Sequence, residues 1–481
     1  MSVREPFSDD RVPDHADRLR RDAFGLAGNI GIALGSTGPT ASIALTLGAL
    51  VAAASFASPL VVLACGLPML AIAVAFQQLN RWRANCGATY AWGARAISPY
   101  YGFAVGWIML VAYLVGLVSI VLVIGPYVLS LAGVEDRLAQ AAVGVAAIVL
   151  VTAIAVLGVR PAAWLQWALL VVEYVGIGVL AVTSLWTVLH GGAHSVPFSW
   201  SWFSWQTMNG STGFVSGLLV AVFMYAAWDS GIMLNEETRN ARRNPGTSVV
   251  ASVIGLALLY TFLVFALQGA VPTKDLEANG NALAYIAQVI SGTALARYMV
   301  LAVALSAIGS ALAGIVATAR LVLAMGADGV LPAAVARTHP SLRTPVLGTI
   351  AVAAVVAIGV VLDALGSTTV QESFTAVVSV DGVLFALYYA MTGVATAVYH
   401  RGLAARGLRE AALFAALPLA GSAFLLYVVW ASVPGLGGWT GRDMLTLYAL
   451  LAVGAAILLA TRLRTPSEYF TRPTEAFRAD A

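Results

Sequence analysis

Apolar residues run in blocks of about twenty along this chain, from Phe24 to Leu463, with short segments rich in glycine, proline and arginine between them. A helix rises about 1.5 Å per residue, so a block of that length crosses a hydrocarbon core of about 30 Å. Set against the turn signals, the pattern predicts helices near 24–52, 57–80, 100–130, 139–158, 162–189, 212–235, 248–271, 297–326, 346–363, 374–398, 411–432 and 443–462. The expected fold class is an all-α membrane protein with about 12 transmembrane helices. The first apolar run is longer than a signal-peptide core, so it is read as the first membrane helix.

Composition agrees with this and narrows the function. The 481 residues are 60% hydrophobic and 10% charged, with a mean hydropathy of +0.87. Soluble domains carry about 25% charged residues. No soluble domain is expected within the chain. Cys65 and Cys86 lie in or beside the second apolar block and read as small packing residues. Neither a metal site nor a cofactor is expected, and the lack of a His/Cys/Asp constellation speaks against an enzyme. A channel is disfavoured by the absence of a ring-forming repeat or polar pore helix.

Charge then sets orientation. Arg4, Arg11, Arg18, Arg20 and Arg21 precede the first block. Alternate loops hold Arg81, Arg83 and Arg95; Arg160; Arg239, Arg242 and Arg243; Arg337 and Arg343; and Arg401, Arg406 and Arg409, and the C-terminal tail adds Arg462, Arg464, Arg472 and Arg478. These are 21 of the 26 basic residues; Arg137, Lys274, Arg297 and Arg442 fall on the other side, and Arg320 lies within helix 8. Under the positive-inside rule both termini are cytoplasmic and the helix count is even. The net charge of +3 reflects this asymmetry and does not imply a nucleic acid partner.

Two blocks are not plain helix. Gly35, Ser36, Thr37, Gly38, Pro39 and Thr40 interrupt the first at mid-membrane depth. Glycine and proline weaken the ladder there, and freed backbone is tolerated in lipid only when buried in protein or lining a cavity. The sixth block carries Tyr225, Ala226, Ala227, Trp228, Asp229 and Ser230. An aspartate within a span costs about 3 kcal/mol on insertion scales. It is expected either to face a cavity or to lie close enough to the cytoplasmic end to be hydrated. Paired breaks in helices 1 and 6 mark a transporter site at the bilayer midplane. Half-helix termini there offer N–H groups to a carboxylate and carbonyls to an ammonium, which suits an amino acid.

Short motifs in order along the chain give these features a family context. Gln77-Gln78-Leu79-Asn80-Arg81 with Asn85-Cys86-Gly87-Ala88-Thr89-Tyr90-Ala91-Trp92, then Gly102-Phe103-Ala104-Val105-Gly106-Trp107, follow helix 2. Asn235 to Pro245 follows helix 6, and Ala319 to Pro332 leads to Arg343-Thr344-Pro345 before helix 9. Together they resemble the loop motifs of the amino acid–polyamine–organocation superfamily of permeases. The resemblance implies a LeuT-type 5+5 inverted repeat plus two extra helices: a tail at 1–22, repeats at 23–200 and 201–400, helices 11–12 at 401–465 and a cytoplasmic tail at 466–481. It implies secondary transport by alternating access, with the substrate held between Ser36–Thr40 and Tyr225–Ser230 and Trp228 as a gating aromatic. Similar motifs suggest cytoplasmic-gate ion pairs between Gln77, Glu236 or Glu237 and neighbouring arginines.

Two acids lie deep in apolar blocks, Glu173 in helix 5 and Asp381 in helix 10. Intramembrane carboxylates are functional candidates by default. Glu173 is a candidate proton carrier, standing where several proton-coupled relatives have lysine, or a hydrogen-bonded structural acid. Asp381 is a candidate partner for an amine, or an acid held by a serine or backbone group. Ser306 and Ser310 lie a turn apart in helix 8 and are candidates for the same cavity. Trp200, Trp202, Phe203 and Trp205 read as an outer interfacial belt, and His190 and His194 as exposed. The expected function is a proton-coupled amino acid permease in the cytoplasmic membrane, working on a small-molecule substrate and protons; the alternative is an amine or polyamine permease or exchanger. A non-transporting sensor would be expected to carry a further cytosolic domain.

Overall fold

The structure, a computed structural model, describes residues 19–208, 210–366, 370–432, 441–464 and 467–476. Arg4, Arg11, Arg18 and Arg478 lie outside them. No β-strand forms among the described residues; a lone bridge joins Phe24 to Thr238.

Eleven stretches are long and apolar enough to cross a membrane. The first, Leu26–Trp82, has 57 residues. As one straight helix it would measure roughly 85 Å, far more than the core it must fit. The chain doubles back at Ser55–Ala57, with Ser55 in the left-handed region at φ 49°. The stretch is therefore two crossings, and the total among the described residues is twelve. Helices α1 (Leu26–Thr37) and α2 (Pro39–Ala54) share the first crossing, and α3 (Ser58–Trp82) makes the second. The short α4 (Thr89–Ala96) leads into α5 (Pro99–Ser130), α6 (Arg137–Leu157) and α7 (Val159–Leu189). Next, α8 (Gly210–Met224) runs into a 3₁₀ segment at Trp228–Glu237, followed by α9 (Asn244–Leu267). Two short helices, α10 (Thr273–Ala278) and α11 (Ala282–Ser291), precede α12 (Thr293–Ala327), α13 (Val346–Gly366) and α14 (Val370–Tyr399). After α15 (Arg401–Ala404) and α16 (Leu408–Ala411), a π-turn at Ala412–Ala416 leads into α17 (Leu417–Ser432) and then α18 (Gly441–Arg464).

Burial divides these helices by role. Helices α5 and α12 are buried along most of their length, whereas α6, α17 and α18 leave side chains such as Val149, Leu150, Trp430, Leu459 and Leu463 exposed. Such a surface would be unsustainable in water but costs nothing against lipid. Inner helices approach closely where glycine removes a side chain. A Cβ on Gly102 of α5 would stand 2.4 Å from the Ala94 backbone nitrogen, and one on Gly48 of α2 would stand 2.4 Å from the Leu276 carbonyl oxygen. Helix α10 thereby lies directly on α2. In the loop before α8, Trp200 and Trp205 are exposed as a belt requires, but Trp202 is buried and stacks on Phe56 at 4.8 Å.

At the arginine-rich end, residues 467–476 fold back across the bundle. The Tyr469 ring is buried and stacks on Tyr90 of α4, 4.8 Å apart and within 4° of parallel. Glu475 pairs with Arg83 at 3.3 Å and Arg95 at 3.5 Å, and Arg472 pairs with Asp328 just past α12. The Glu475 pairs are partly exposed, where ion pairs are worth at most about 1 kcal/mol, so the buried ring holds the segment. In unfolding measurements in mixed micelles, Tyr469→Ala should cost about 3 kcal/mol, and Glu475→Ala less than about 1 kcal/mol. Equal losses would show that the ion pairs, not the ring, hold the strap.

Candidate functional site

The first break is built by two adjacent residues. Helix α1 stops at Gly38, which takes the left-handed conformation at φ 52° and donates its N–H to the Gly35 carbonyl at 3.0 Å. Pro39 starts α2 at its first helical position, where a missing N–H is harmless. The freed polar groups are met by hydroxyls. Thr37 donates to the Leu34 carbonyl at 2.6 Å, Ser42 to the Thr37 carbonyl at 2.6 Å and Ser310 of α12 to the Ser36 carbonyl at 2.6 Å. The Ala41 N–H donates to Ser306 Oγ at 3.2 Å. Both α12 serines thus clamp the break. Nothing in the sequence pattern singles out Gln166, which lies fully buried in α7. A Cβ on Gly35 would fall 1.8 Å from its Nε2, and neither amide atom of Gln166 has a hydrogen-bond partner.

The second break follows α8. The Ala226 N–H donates to Phe223, and Ala227 is left-handed at φ 68° without being glycine. Ten residues of 3₁₀ helix follow, far beyond the usual three or four, a form that marks strained or hinge segments. The two broken segments are tied directly. Asn29 of α1 donates to the Gly231 carbonyl at 3.0 Å and to Thr238 Oγ1 at 2.9 Å, and Ser230 Oγ donates to the Ile32 carbonyl at 3.4 Å. Tyr225 donates to the Val62 carbonyl at 3.2 Å.

Asp229 does not line the cavity described below. Its Oδ1 accepts from three phenols, Tyr113 at 2.9 Å, Tyr388 at 3.0 Å and Tyr389 at 2.9 Å, and the residue is fully buried. These tyrosines, on α5 and α14, went unread because nothing in the chain's spacing ties them to a residue more than a hundred positions away. Trp228 is packed rather than free to swing. It stacks on Tyr389 at 4.8 Å and meets Phe76 edge-on at 5.2 Å.

A cavity with about 440 Å³ of unfilled space, its mouth included, lies between the breaks, lined by the middles of α5, α12 and α14 and by both broken segments. Of the expected residues, Ser36, Thr37, Ala226, Ala227, Ser310 and Asp381 are on its wall. Gly35, Gly38, Pro39, Thr40, Ser306, Tyr225, Trp228, Asp229 and Ser230 are not among its lining residues. Tyr113, Gly116, Phe223 and Phe385 belong to the lining as well. Asp381 meets no serine or backbone group: both carboxyl oxygens are buried without a hydrogen-bond partner. Glu173 is behind the first break, fully buried, with Thr40 and Ser306 as polar neighbours and no well-formed hydrogen bond at either oxygen. Of the three acids, Asp381 alone is among the residues that line this cavity.

Of the acids expected to form ion pairs after helix 6, Glu237 finds its partner inside the bundle. It accepts from Arg320 of α12, Oε2 from Nε at 2.8 Å and Oε1 from Nη2 at 3.3 Å, with both side chains buried. Glu236 Oε1 accepts the Cys86 N–H at 2.9 Å, and Gln77 donates to the Gly246 carbonyl at 3.3 Å. Among the described residues no group of three or more His, Cys, Asp or Glu could hold a metal.

A bundle of twelve crossings with two helices broken around a central cavity is the architecture of a membrane transporter. The chain belongs to the amino acid permease family, whose sequence profile matches residues 22–455. It is 28% identical to an uncharacterized transporter of Mycobacterium tuberculosis over 366 residues, 74% of this chain and 76% of that protein. It is 24% identical to a low-affinity putrescine importer of Escherichia coli (76% and 81% covered) and 23% identical to a methylthioribose transporter of Bacillus subtilis (61% and 65% covered).

Two measurements test this geometry. Gly35→Ala should abolish uptake in proteoliposomes, and Gln166→Ala added to the same chain should restore part of it by freeing the space; no restoration would show that the glycine serves something other than this contact. Glu237→Gln should cost about 3–5 kcal/mol, because it strands a buried guanidinium, and Glu237→Leu with Arg320→Met should cost much less. Equal costs would mean that the charge itself is not what is balanced there.

Proposed function

We propose that this protein is a secondary active transporter that carries a small solute bearing an amino group, an amino acid or an amine, across the cytoplasmic membrane by alternating access. The observation behind this is the mid-bundle cavity bounded by both broken helices, since breaks at matching positions in two halves are where such proteins hold their substrates. On this reading residues 23–200 and 201–400 are inverted repeats, with 401–465 appended. The arginine-rich end faces the cytoplasm, with the tails at 1–22 and 466–481 on that side.

The same reading couples transport to protons through Glu173. Glu173 is buried beside Thr40, at the first break, and Ser306, which clamps that break. A change in its charge therefore acts on the hinge itself, not on the substrate.

Purified protein in liposomes should take up at least one member of an amino acid and amine panel in a saturable, competable way, faster with an inward proton gradient. Glu173→Gln should retain binding and lose the gradient dependence. Uptake of no panel member would sink the permease reading, and unchanged gradient dependence in Glu173→Gln would remove Glu173 from coupling.

A further inference from the structure

Within that permease reading, we infer that the central cavity is built for an organic ammonium ion, with Asp381 as its counter-ion, and does not require a carboxylate on the substrate. Asp381 sits midway along α14, 1% exposed, and both carboxyl oxygens lack a hydrogen-bond partner although they border open space. Among the described residues no lysine, arginine or histidine lines the cavity. A buried carboxylate without a partner is unfavourable, and a cation arriving beside it removes that cost. Asp229 differs on this point, with three phenol donors on one oxygen, and Glu173, though also without a partner, is not among the cavity's lining residues.

The surroundings of Asp381 suit an ammonium. Gly116 of α5 faces the carboxylate, and a Cβ there would stand 3.0 Å from Oδ2, so the missing side chain keeps that oxygen accessible. Tyr113, Phe223 and Phe385 bring aromatic rings to the same wall, and ring faces attract cations. Ser36 Oγ is buried without a partner and is free to accept an N–H.

Provision for a carboxylate at the first break is poor. A helix N-terminus binds anions through free N–H groups. At the start of α2, Pro39 has none, the Gly38 N–H is held by Gly35, the Ala41 N–H by Ser306 and the Ser42 N–H by Gly38. Three of the donors there are thus spent on closing the break, and the Thr40 N–H lies toward Glu173 behind it.

Binding of 1,4-diaminobutane, n-butylamine and L-leucine to the full chain in nanodiscs, measured by calorimetry, tests this. Both amines should bind more tightly than leucine. Asp381→Asn should weaken amine binding by at least about 30-fold, while Asp381→Glu stays within about tenfold of the parent. If Asp381→Asn does not fold, as judged by its melting without ligand, Gly116→Ala decides: an affinity loss of about tenfold supports the counter-ion, and unchanged affinity overturns it. Tight leucine binding with no amine binding would overturn the cation inference and leave the permease reading standing. Binding of neither class, with no uptake, would overturn both. Amine binding undiminished in Asp381→Asn would remove Asp381 as the counter-ion.

Discussion

A broken helix in a bilayer has no water to satisfy its ends, and most of the molecule's organisation follows from that constraint. The Ser310 hydroxyl donating to the Ser36 carbonyl, and Ser306 accepting from Ala41, answer it at the first break. Both serines belong to α12, which must then lie against α1 and α2 along its middle. The second break is answered by Asn29, reaching from α1 to Gly231 and Thr238. Each interruption is thus held by an element outside itself, and the cavity is the space left between the two sets of clamps. A change in one clamp is felt at both breaks, because α1 takes part in each.

The acids show how environment assigns roles to the same chemical group. Asp229 is sealed by three phenols contributed by α5 and α14, so its charge serves to draw those helices onto the second break. Glu237 is neutralised by Arg320 and joins the end of the 3₁₀ segment to α12. Glu173 and Asp381 are buried without such partners, one behind the hinge and one on the cavity wall. The four acids separate here by whether the fold has supplied donors, not by depth alone.

Much of this was legible in the chain. Block length gave the crossings, and the glycines and proline of Gly35–Thr40 located the first break to within six residues, because each acts through its own backbone. Ser306 and Ser310 were legible as a pair from helical spacing. What stayed hidden depended on contacts between distant segments. Gln166 reads as an ordinary polar residue in an apolar block, and only packing sets it against Gly35. Tyr113, Tyr388 and Tyr389 read as aromatic filling until the fold brings Asp229 among them. Asp229 looked exposed to a cavity for the same reason, and Glu237 looked like a partner for the arginines beside it in sequence when its partner lies 83 positions further on.

The strap at 467–476 bears on how distant parts of the chain are tied together. Tyr469 follows the last crossing, yet its ring stacks on Tyr90 of α4, which lies between the second crossing and the third. From the same segment Arg472 neutralises Asp328 just past α12. Any motion of α4 against α12 at the arginine-rich end therefore has to work against both contacts.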